Sequence, residues 1–322
     1  VGCAAYELPL RLADREILGQ ATEEAANSLV QSGHLRPRDD ALYWAQRTRP
    51  APQIDLRSSG GRRFDVVDRT GASELLGVVD ESRAYRDGHA GAIYLHQGDT
   101  YVVKDLEVDR AEITVVREDV NYYTQPKVET DVEVLERTAA ETMGPVRLHL
   151  GSLRVHSQVV AYQRKALGSR ETMDTVYLDL PSTTYVTDGI WLGIPESVLA
   201  AARLDPVDVP GSLHAAEHAG IAMMPLRAVC DRWDIGGLST PWHPATGGPA
   251  IFIYEAYAGG AGISEVAFAA GADHWAATVE AIRSCPCASG CPSCIQSPKC
   301  GNFNEPLDKP GAVRLLETIL GS

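Results

Sequence analysis

Five of the seven cysteines fall between Cys285 and Cys300, in the run Cys-Pro-Cys-Ala-Ser-Gly-Cys-Pro-Ser-Cys-Ile-Gln-Ser-Pro-Lys-Cys. The spacing is C-x-C-x3-C-x2-C-x5-C. Thiolates at such spacing hold zinc, which takes four of them in a tetrahedron with Zn–S of about 2.3 Å. The Cys291–Cys294 step puts two sulfurs on one side of a tight turn. Five candidates compete for four positions. Cys287, Cys291, Cys294 and Cys300 make one compact set, and the set with Cys285 in place of Cys287 is the other. An all-thiolate shell leaves no place for water, so the predicted site is structural rather than catalytic. A redox dithiol is the weaker reading, because Cys291-Pro-Ser-Cys294 lacks a βαβ setting. Cys3 and Cys230 stand apart from the cluster.

A second pattern carries different chemistry. His214-Ala-Ala-Glu217-His218 is H-x-x-E-H. On a helix the two histidines share a face and could hold a metal, with Glu217 as general base, as in a metallopeptidase. A third ligand is needed, and Glu255, Glu265 and Glu280 are candidates. The bland alternative is a polar helix start leading into the core stretch 221–229. Two loops invite similar weighing. Asp231-Arg232-Trp233-Asp234-Ile235-Gly236-Gly237 reads as a scaffold built on opposed charges. Gly259-Gly260-Ala261-Gly262 follows an apolar strand and could cradle a phosphate. It lacks the Walker A lysine, so tight packing is the preferred reading.

Basic residues form two local tracks. Residues 36–63 hold Arg36, Arg38, Arg47, Arg49, Arg57, Arg62 and Arg63 against three aspartates, with Tyr43 and Trp44 nearby. Residues 142–170 hold Arg147, Arg154, Arg164, Lys165 and Arg170 with no acid, and Tyr162 among them. Arginine interleaved with aromatics on a β surface suits single-stranded nucleic acid, through phosphate contact and base stacking.

Three segments must position these groups. Residues 1–50 read as a helix, with Thr22 as its cap and Gly33 as its end, followed by a short basic hairpin, as at the end of a winged helix. Residues 51–184 show many short alternating runs separated by turn signals such as Gly60-Gly61, Gly98-Asp99 and Gly151, which predicts a β-rich barrel or sandwich. Pro50 and Pro52 mark a linker into it. Residues 185–322 carry helical patterns over 197–202, 212–229, 263–284 and 310–320, with a buried strand over 250–254, an α/β arrangement. The fold class is therefore α+β.

Composition narrows the function. The chain has 322 residues, 44% hydrophobic and 22% charged, too apolar for disorder throughout. No 18-residue apolar run free of charge suggests a membrane span. The net charge of −14 argues against a surface coated in basic residues, so any nucleic-acid contact must be local. An odd cysteine count in a chain of this size speaks for metal and a reducing compartment rather than disulfides. The first residues, Val1-Gly2-Cys3, suggest a piece cut from a longer protein.

Taken together, HAAEHA (214–219), CDRWDIGGLST (230–240), IFIYEAYAGGAGI (251–263) and SCPCASGCPSCIQSPKCGNFNEPLDK (284–309) resemble the C-terminal region of the MrfA/SftH-like superfamily 2 DNA helicases. That region contains the MrfA zinc-binding domain. IDLRSSGG, GAIYLHQGDTYVV and NYYTQ resemble the β-rich segment upstream of it, and residues 1–50 fit the end of the family's winged helix. The resemblance implies an ATP-dependent 3′-to-5′ helicase that tracks on single-stranded DNA in repair. It implies zinc on the 285–300 cysteines, and it makes HAAEH a part of the family pattern rather than a peptidase site. Walker A, DEAH-type and arginine-finger residues have no counterpart here. ATP and magnesium would belong to upstream motor domains, and the chain itself would be a non-catalytic module. The expected partners are single-stranded DNA and those motors, in the cytoplasm or on the nucleoid, with no membrane. A zinc hydrolase on His214, Glu217 and His218, or a protein-interaction module docking through its acidic surface, are the alternatives.

Overall fold

The computed structural model describes residues 1–51 and 62–321. The linker proline Pro52 and the whole IDLRSSGG motif, with Asp55, Arg57 and Gly60-Gly61, fall outside the described residues. The chain divides into two compact units, Val1–Ser58 and Ser59–Ser322.

The first unit holds α1 (Gly2–Glu7), α2 (Arg15–Leu18), α3 (Thr22–Gln31), β1 (Leu35–Arg38) and β2 (Ala41–Trp44). β1 and β2 form an antiparallel hairpin, and Leu10 bridges to Leu42 beside it. Ala5, Leu10, Ala26 and Leu35 are buried together, with Leu29, Val30, Leu42 and Trp44 packed against them. Thr22 is not the cap: it is the first helical residue, Ala21 precedes it as the cap, and its hydroxyl donates to the Gly19 carbonyl at 2.7 Å. Gly33 follows the helix with φ of 73°, a left-handed turn that starts the hairpin.

The second unit begins with β3 (Arg63–Asp68), β4 (Glu74–Asp80), α4 (Glu81–Asp87), β5 (Ile93–His96), β6 (Asp99–Glu107) and β7 (Glu112–Arg117). These strands make a five-stranded sheet in the order β4-β3-β7-β6-β5. Its core is Phe64, Val66, Val103, Ile113 and Val115, with Ala84 and Tyr85 of α4 packed on it. Helix α4 is absent from the pattern reading. It starts where the Asp80 carboxylate accepts from the Arg83 amide at 2.9 Å, a local cap on a short charged stretch with no long apolar period.

The rest is β8 (Tyr122–Met143), β9 (Val146–Ala166), β10 (Thr172–Tyr177), β11 (Thr183–Gly193), α5 (Glu196–Ala201), α6 (Val209–Met223), β12 (Ile235–His243), β13 (Gly248–Glu255), α7 (Ile263–Ser284) and α8 (Lys309–Leu320). β9 pairs with β8 along one edge and with β10 and β11 along the other, and β13 and β12 continue the sheet. The sheet curls until β12 returns to β8, where His243 Nε2 donates to the Val132 carbonyl at 2.8 Å. It is a nearly closed, barrel-like sheet. Alternation sorts the side chains. Leu153, Trp191, Phe252 and Tyr254 fill one face. Leu148, Leu192, Ile251 and Ile253 on the other are covered by the helices, with Leu213, Trp275 and Leu315 in the same core. β13 is thereby buried on both faces.

Gly151 is a correction to the turn reading, since it lies inside a continuous β9 opposite Arg137. A Cβ there would come within 1.9 Å of the Glu136 carbonyl oxygen. The register of β8 shifts between Val134 and Glu136 and again between Arg137 and Ala139, so glycine is what lets the bulged strand approach. No helix among the described residues is long and apolar enough to cross a membrane.

Candidate metal centre and its surroundings

Helix α7 ends at Ser284, and the backbone at Cys285 turns extended, with φ of −72° and ψ of 125°. Residues i and i+2 of an extended chain face the same way, so Cys285 and Cys287 present both sulfurs to one side. The tight turn through Cys291 and Cys294 brings up the other two, and the Cys294 and Ile295 amides both donate to the Cys291 carbonyl, at 3.0 and 3.2 Å. All four sulfurs lie within 4.8 Å of one another. Cys285 Sγ is 3.6 Å from Cys287 Sγ and 3.5 Å from Cys291 Sγ. Cys294 Sγ is 3.5 Å from Cys287 Sγ and 3.8 Å from Cys291 Sγ. In a tetrahedron of ~2.3 Å Zn–S bonds the sulfurs stand about 3.8 Å apart, so this cage has the size for zinc.

The surroundings fit as well. Lys309, the first residue of α8, is buried and donates from Nζ to the carbonyls of Cys285 and Cys287, both at 2.7 Å. Burial pushes the Cys287 thiol up, yet its hydrogen bonds with Cys294, Cys285 and Lys309 outweigh that and bring it down to about 6. Burial pushes Cys294 up to about 12. Four thiols gathered in one cage suit a divalent cation, which would deprotonate them all. Cys294 and Ile295 are buried in the main core, so the cage is anchored on both sides.

Cys300 does not join this cage. It is grouped instead with His214 and His218, one ligand atom from each lying within 4.8 Å of the others. Both compact sets drawn from spacing included Cys300, and the fold replaces it by using Cys285 and Cys287 together. His214 Nε2 is 3.5 Å from Cys300 Sγ. Burial pushes the His214 ring down, but the Cys300 hydrogen bond and the Glu217 charge outweigh it and lift it to about 9. Burial pushes Cys300 up, and the two histidines more than reverse this, to about 6.

The peptidase arrangement is not assembled. Glu255, proposed as a third ligand, is fully buried at the start of α7, where it accepts from the amides of Ala261 and Ser264, the latter at 2.8 Å. Glu280 lies 3.3 Å from Arg283. Glu265 takes no place among the metal-ligand groups of the described residues. Glu217 accepts from Ser239 Oγ at 2.7 Å, on the β12 side of α6. Glu255 also settles the glycine loop, because its carboxylate fills the anion position that a phosphate would need. The 231–237 loop is a cap: Asp231 accepts from the Trp233 amide at 2.6 Å and donates its own amide to Asp234 at 2.8 Å. Trp233 lies under the Arg86 guanidinium at 5.4 Å.

The loop from 296 to 305 is tied to the β-rich elements. Arg86 donates to the Lys299 carbonyl at 2.8 Å, the Val128 amide donates to the Gly301 carbonyl at 3.0 Å, and Lys165 lies 5.4 Å over the Phe303 ring. Burial pushes the Lys299 ammonium down to about 8, with Arg86 adding to it.

The basic tracks are less bare than their sequence suggests. Arg154 pairs with Glu133 of β8. Arg164 makes a two-point contact with Asp174 of β10, one bond at 2.8 Å, and this holds the Asp174 carboxyl below its ordinary range. Strand pairing brings in acids that the local sequence lacks. Arg147 is exposed on β9. Arg36 and Arg38 are exposed on β1, where Arg38 lies 3.9 Å from Asp39, while Trp44 is half-buried and donates to the Thr48 carbonyl at 3.0 Å. Arg62 and Arg63 belong to the second unit, with Arg62 donating to the Asp109 carbonyl at 2.9 Å and lying 5.7 Å over Phe64. The first track is thus divided between the two units.

Known proteins match this organisation. The family model described as the MrfA Zn-binding domain matches residues 216–295, and that of the winged helix domain of ATP-dependent helicase HRQ1 matches residues 1–59. The ATP-dependent helicase YprA of Bacillus subtilis is 30% identical over 297 residues, 91% of this chain and 39% of that protein. The ATP-dependent helicase hrq1 of Schizosaccharomyces pombe is 27% identical over 340 residues, 99% of this chain and 31% of that protein. A crystal structure of the DUF1998 helicase MrfA bound to DNA is similar over 98% of this chain and 42% of its own, with a TM-score of 0.56 at 29% identity. The chain therefore spans between 31% and 42% of the length of these helicases. The chain thus carries an HRQ1-type winged helix domain and an MrfA Zn-binding domain, is homologous to the YprA and Hrq1 helicases and similar in structure to the MrfA helicase, and corresponds to the C-terminal region of such a helicase.

Proposed function

We propose that this chain is the accessory zinc-binding module of an ATP-dependent 3′-to-5′ DNA helicase, and that it supports single-stranded DNA binding and translocation in repair. The observation that carries this reading is the likeness, through 98% of the chain, to a helicase whose structure was solved bound to DNA. Cys285, Cys287, Cys291 and Cys294 hold the zinc. Bound there, zinc supplies four strong bonds that fix the turn between α7 and α8. Lys309 orients the cage through two backbone carbonyls, and Ile295 anchors it in the core. The loop that follows reaches β8, β9 and α4, so the metal turn braces the helices against the β-rich part.

ATP and magnesium act in the motor domains, which are the module's partner, in the cytoplasm or on the nucleoid. The working parts are 1–50, the winged helix; 51–184, the β-rich part; and 185–322, the zinc part. DNA follows the exposed basic residues. Arg36, Arg38 and Arg147 are the leading contacts, with Arg62, Arg63, Trp44 and Lys165 beside them. Arg154 and Arg164 contribute less, because a phosphate must displace Glu133 or Asp174 to reach them.

Filter binding of a labelled single strand tests the reading. Retention at roughly 50 mM salt that falls steeply by about 200 mM supports it. No retention at the lower salt contradicts direct DNA contact.

A further inference from the structure

The pair of histidines on α6 has a use that the four-cysteine cage does not exhaust. We propose that His214, His218 and Cys300 form a second metal site, which takes a zinc-like divalent ion and leaves one coordination position open.

Three independent features converge on it. The first is distance: a tetrahedral zinc with Zn–N of about 2.0–2.1 Å and Zn–S of about 2.3 Å sets its nitrogen and sulfur ligands about 3.6 Å apart. His214 Nε2 and Cys300 Sγ are 3.5 Å apart, and the two imidazole rings, one turn apart on α6, have centroids 4.2 Å apart.

The second is tautomer control. His214 Nδ1 lies 2.9 Å from the Pro306 carbonyl and His218 Nδ1 lies 2.8 Å from the Ile295 carbonyl. A carbonyl only accepts, so each ring carries a proton on Nδ1, which leaves Nε2 as the nitrogen that a metal takes, displacing any proton shared there with Cys300. Metal-ligating histidines are held in this way, by a backbone acceptor on the other nitrogen.

The third is the sulfur. Cys300 Sγ accepts from the Asn302 and Asn304 amides, both at 3.3 Å, which favours thiolate. Asn304 also locks the loop to Ser297, accepting from its amide at 2.7 Å and donating to its carbonyl at 3.0 Å. His218 and Cys300 are each only 6% exposed and His214 is half-buried, so two of the three donors are shielded from water.

The site differs from the cage in position and in charge. The matched zinc-domain segment, 216–295, contains the four cysteines of the cage but neither His214 nor Cys300. Four thiolates around a divalent ion carry net negative charge, whereas two neutral imidazoles and one thiolate leave a net positive one. The second site therefore suits an anionic or water-derived fourth ligand. Mechanically it joins α6 to the loop before α8, while the cage joins that loop to the end of α7. The sites adjoin through Cys294 and Ile295.

The test uses the whole chain, loaded with excess zinc under reducing conditions, desalted, and analysed for metal. Two zinc ions per chain are expected. Cys300→Ser and His218→Ala should each retain one, and Cys291→Ser should also retain one. Cobalt(II) loading then distinguishes which site remains. Cys300→Ser should keep the intense charge-transfer bands of a four-thiolate centre, and Cys291→Ser should show the weaker band of a single Co–S bond. One metal per wild-type chain, with the same cobalt spectrum before and after Cys300→Ser, overturns the proposal and leaves a His214–Cys300 hydrogen bond in its place. Should a variant fail to fold, the wild-type stoichiometry decides alone.

Discussion

Lys309 directs its ammonium group at Cys287, donating to its carbonyl at 2.7 Å and lying 3.4 Å from its sulfur. A buried lysine needs a negative partner, and here the partner is the thiolate cage itself. One residue at the start of α8 thus balances charge and fixes the shape of the turn that holds the cysteines.

Lys309→Met keeps the length and apolar stem of the side chain but removes that charge and its hydrogen bonds. Zinc affinity of the cage should fall by about 10–100-fold, the usual effect of losing an outer partner of a metal ligand. Competition with a chromophoric chelator reads it. An unchanged affinity would show that Lys309 serves α8 alone.

Glu255 holds the start of α7 by accepting from two amides while fully buried. Glu255→Ala leaves those amides unpaired and should cost about 1–3 kcal/mol. Urea unfolding should show a lower midpoint with an unchanged slope. Phosphate or nucleotide should not stabilise the wild-type chain through this loop, since the carboxylate occupies the position.

His274 supplies a pH dependence. Burial pushes its ring down to about 4, with the Arg227 charge adding to the shift. Between pH 6.5 and about 4 the unfolded chain therefore binds a proton that the folded chain refuses. Stability falls as pH falls through that window, by up to about 1.4 kcal/mol per pH unit. Urea midpoints at pH 7, 6 and 5 should converge between wild type and His274→Phe, with the wild type losing more. Parallel losses would remove His274 as the cause.

The basic tracks divide by their partners. Arg36→Ala with Arg38→Ala should weaken single-strand binding and lower the slope of log K against log salt by about 1–2. Arg164→Ala should lower that slope less, because Asp174 holds the guanidinium in a two-point contact. Equal effects in anisotropy titrations would place the DNA elsewhere.

Much of this was legible in the residue order. The cysteine run announced a thiolate site by spacing alone, and the alternating runs announced a β-rich middle. What stayed hidden depended on elements far apart in sequence. The division of five cysteines into a cage of four and Cys300 requires α6 to pack beside the loop after α7. H-x-x-E-H correctly pairs His214 with His218, but their third partner is a cysteine some eighty residues on, not a glutamate. Gly151 has the composition of a turn and serves a bulge, because the crowding comes from Glu136 on the neighbouring strand. Arg154 and Arg164 read as free charge until β8 and β10 supply their acids.

Whether Cys285, Cys287, Cys291 and Cys294 hold this module together as metal ligands is decided by native thiol titration paired with elemental analysis. Bound zinc is expected, with Cys285, Cys287, Cys291 and Cys294 reacting only after a denaturant or chelator is added and with Cys291→Ser losing one zinc per chain. A folded preparation without zinc, whose five clustered thiols all react freely, would contradict it.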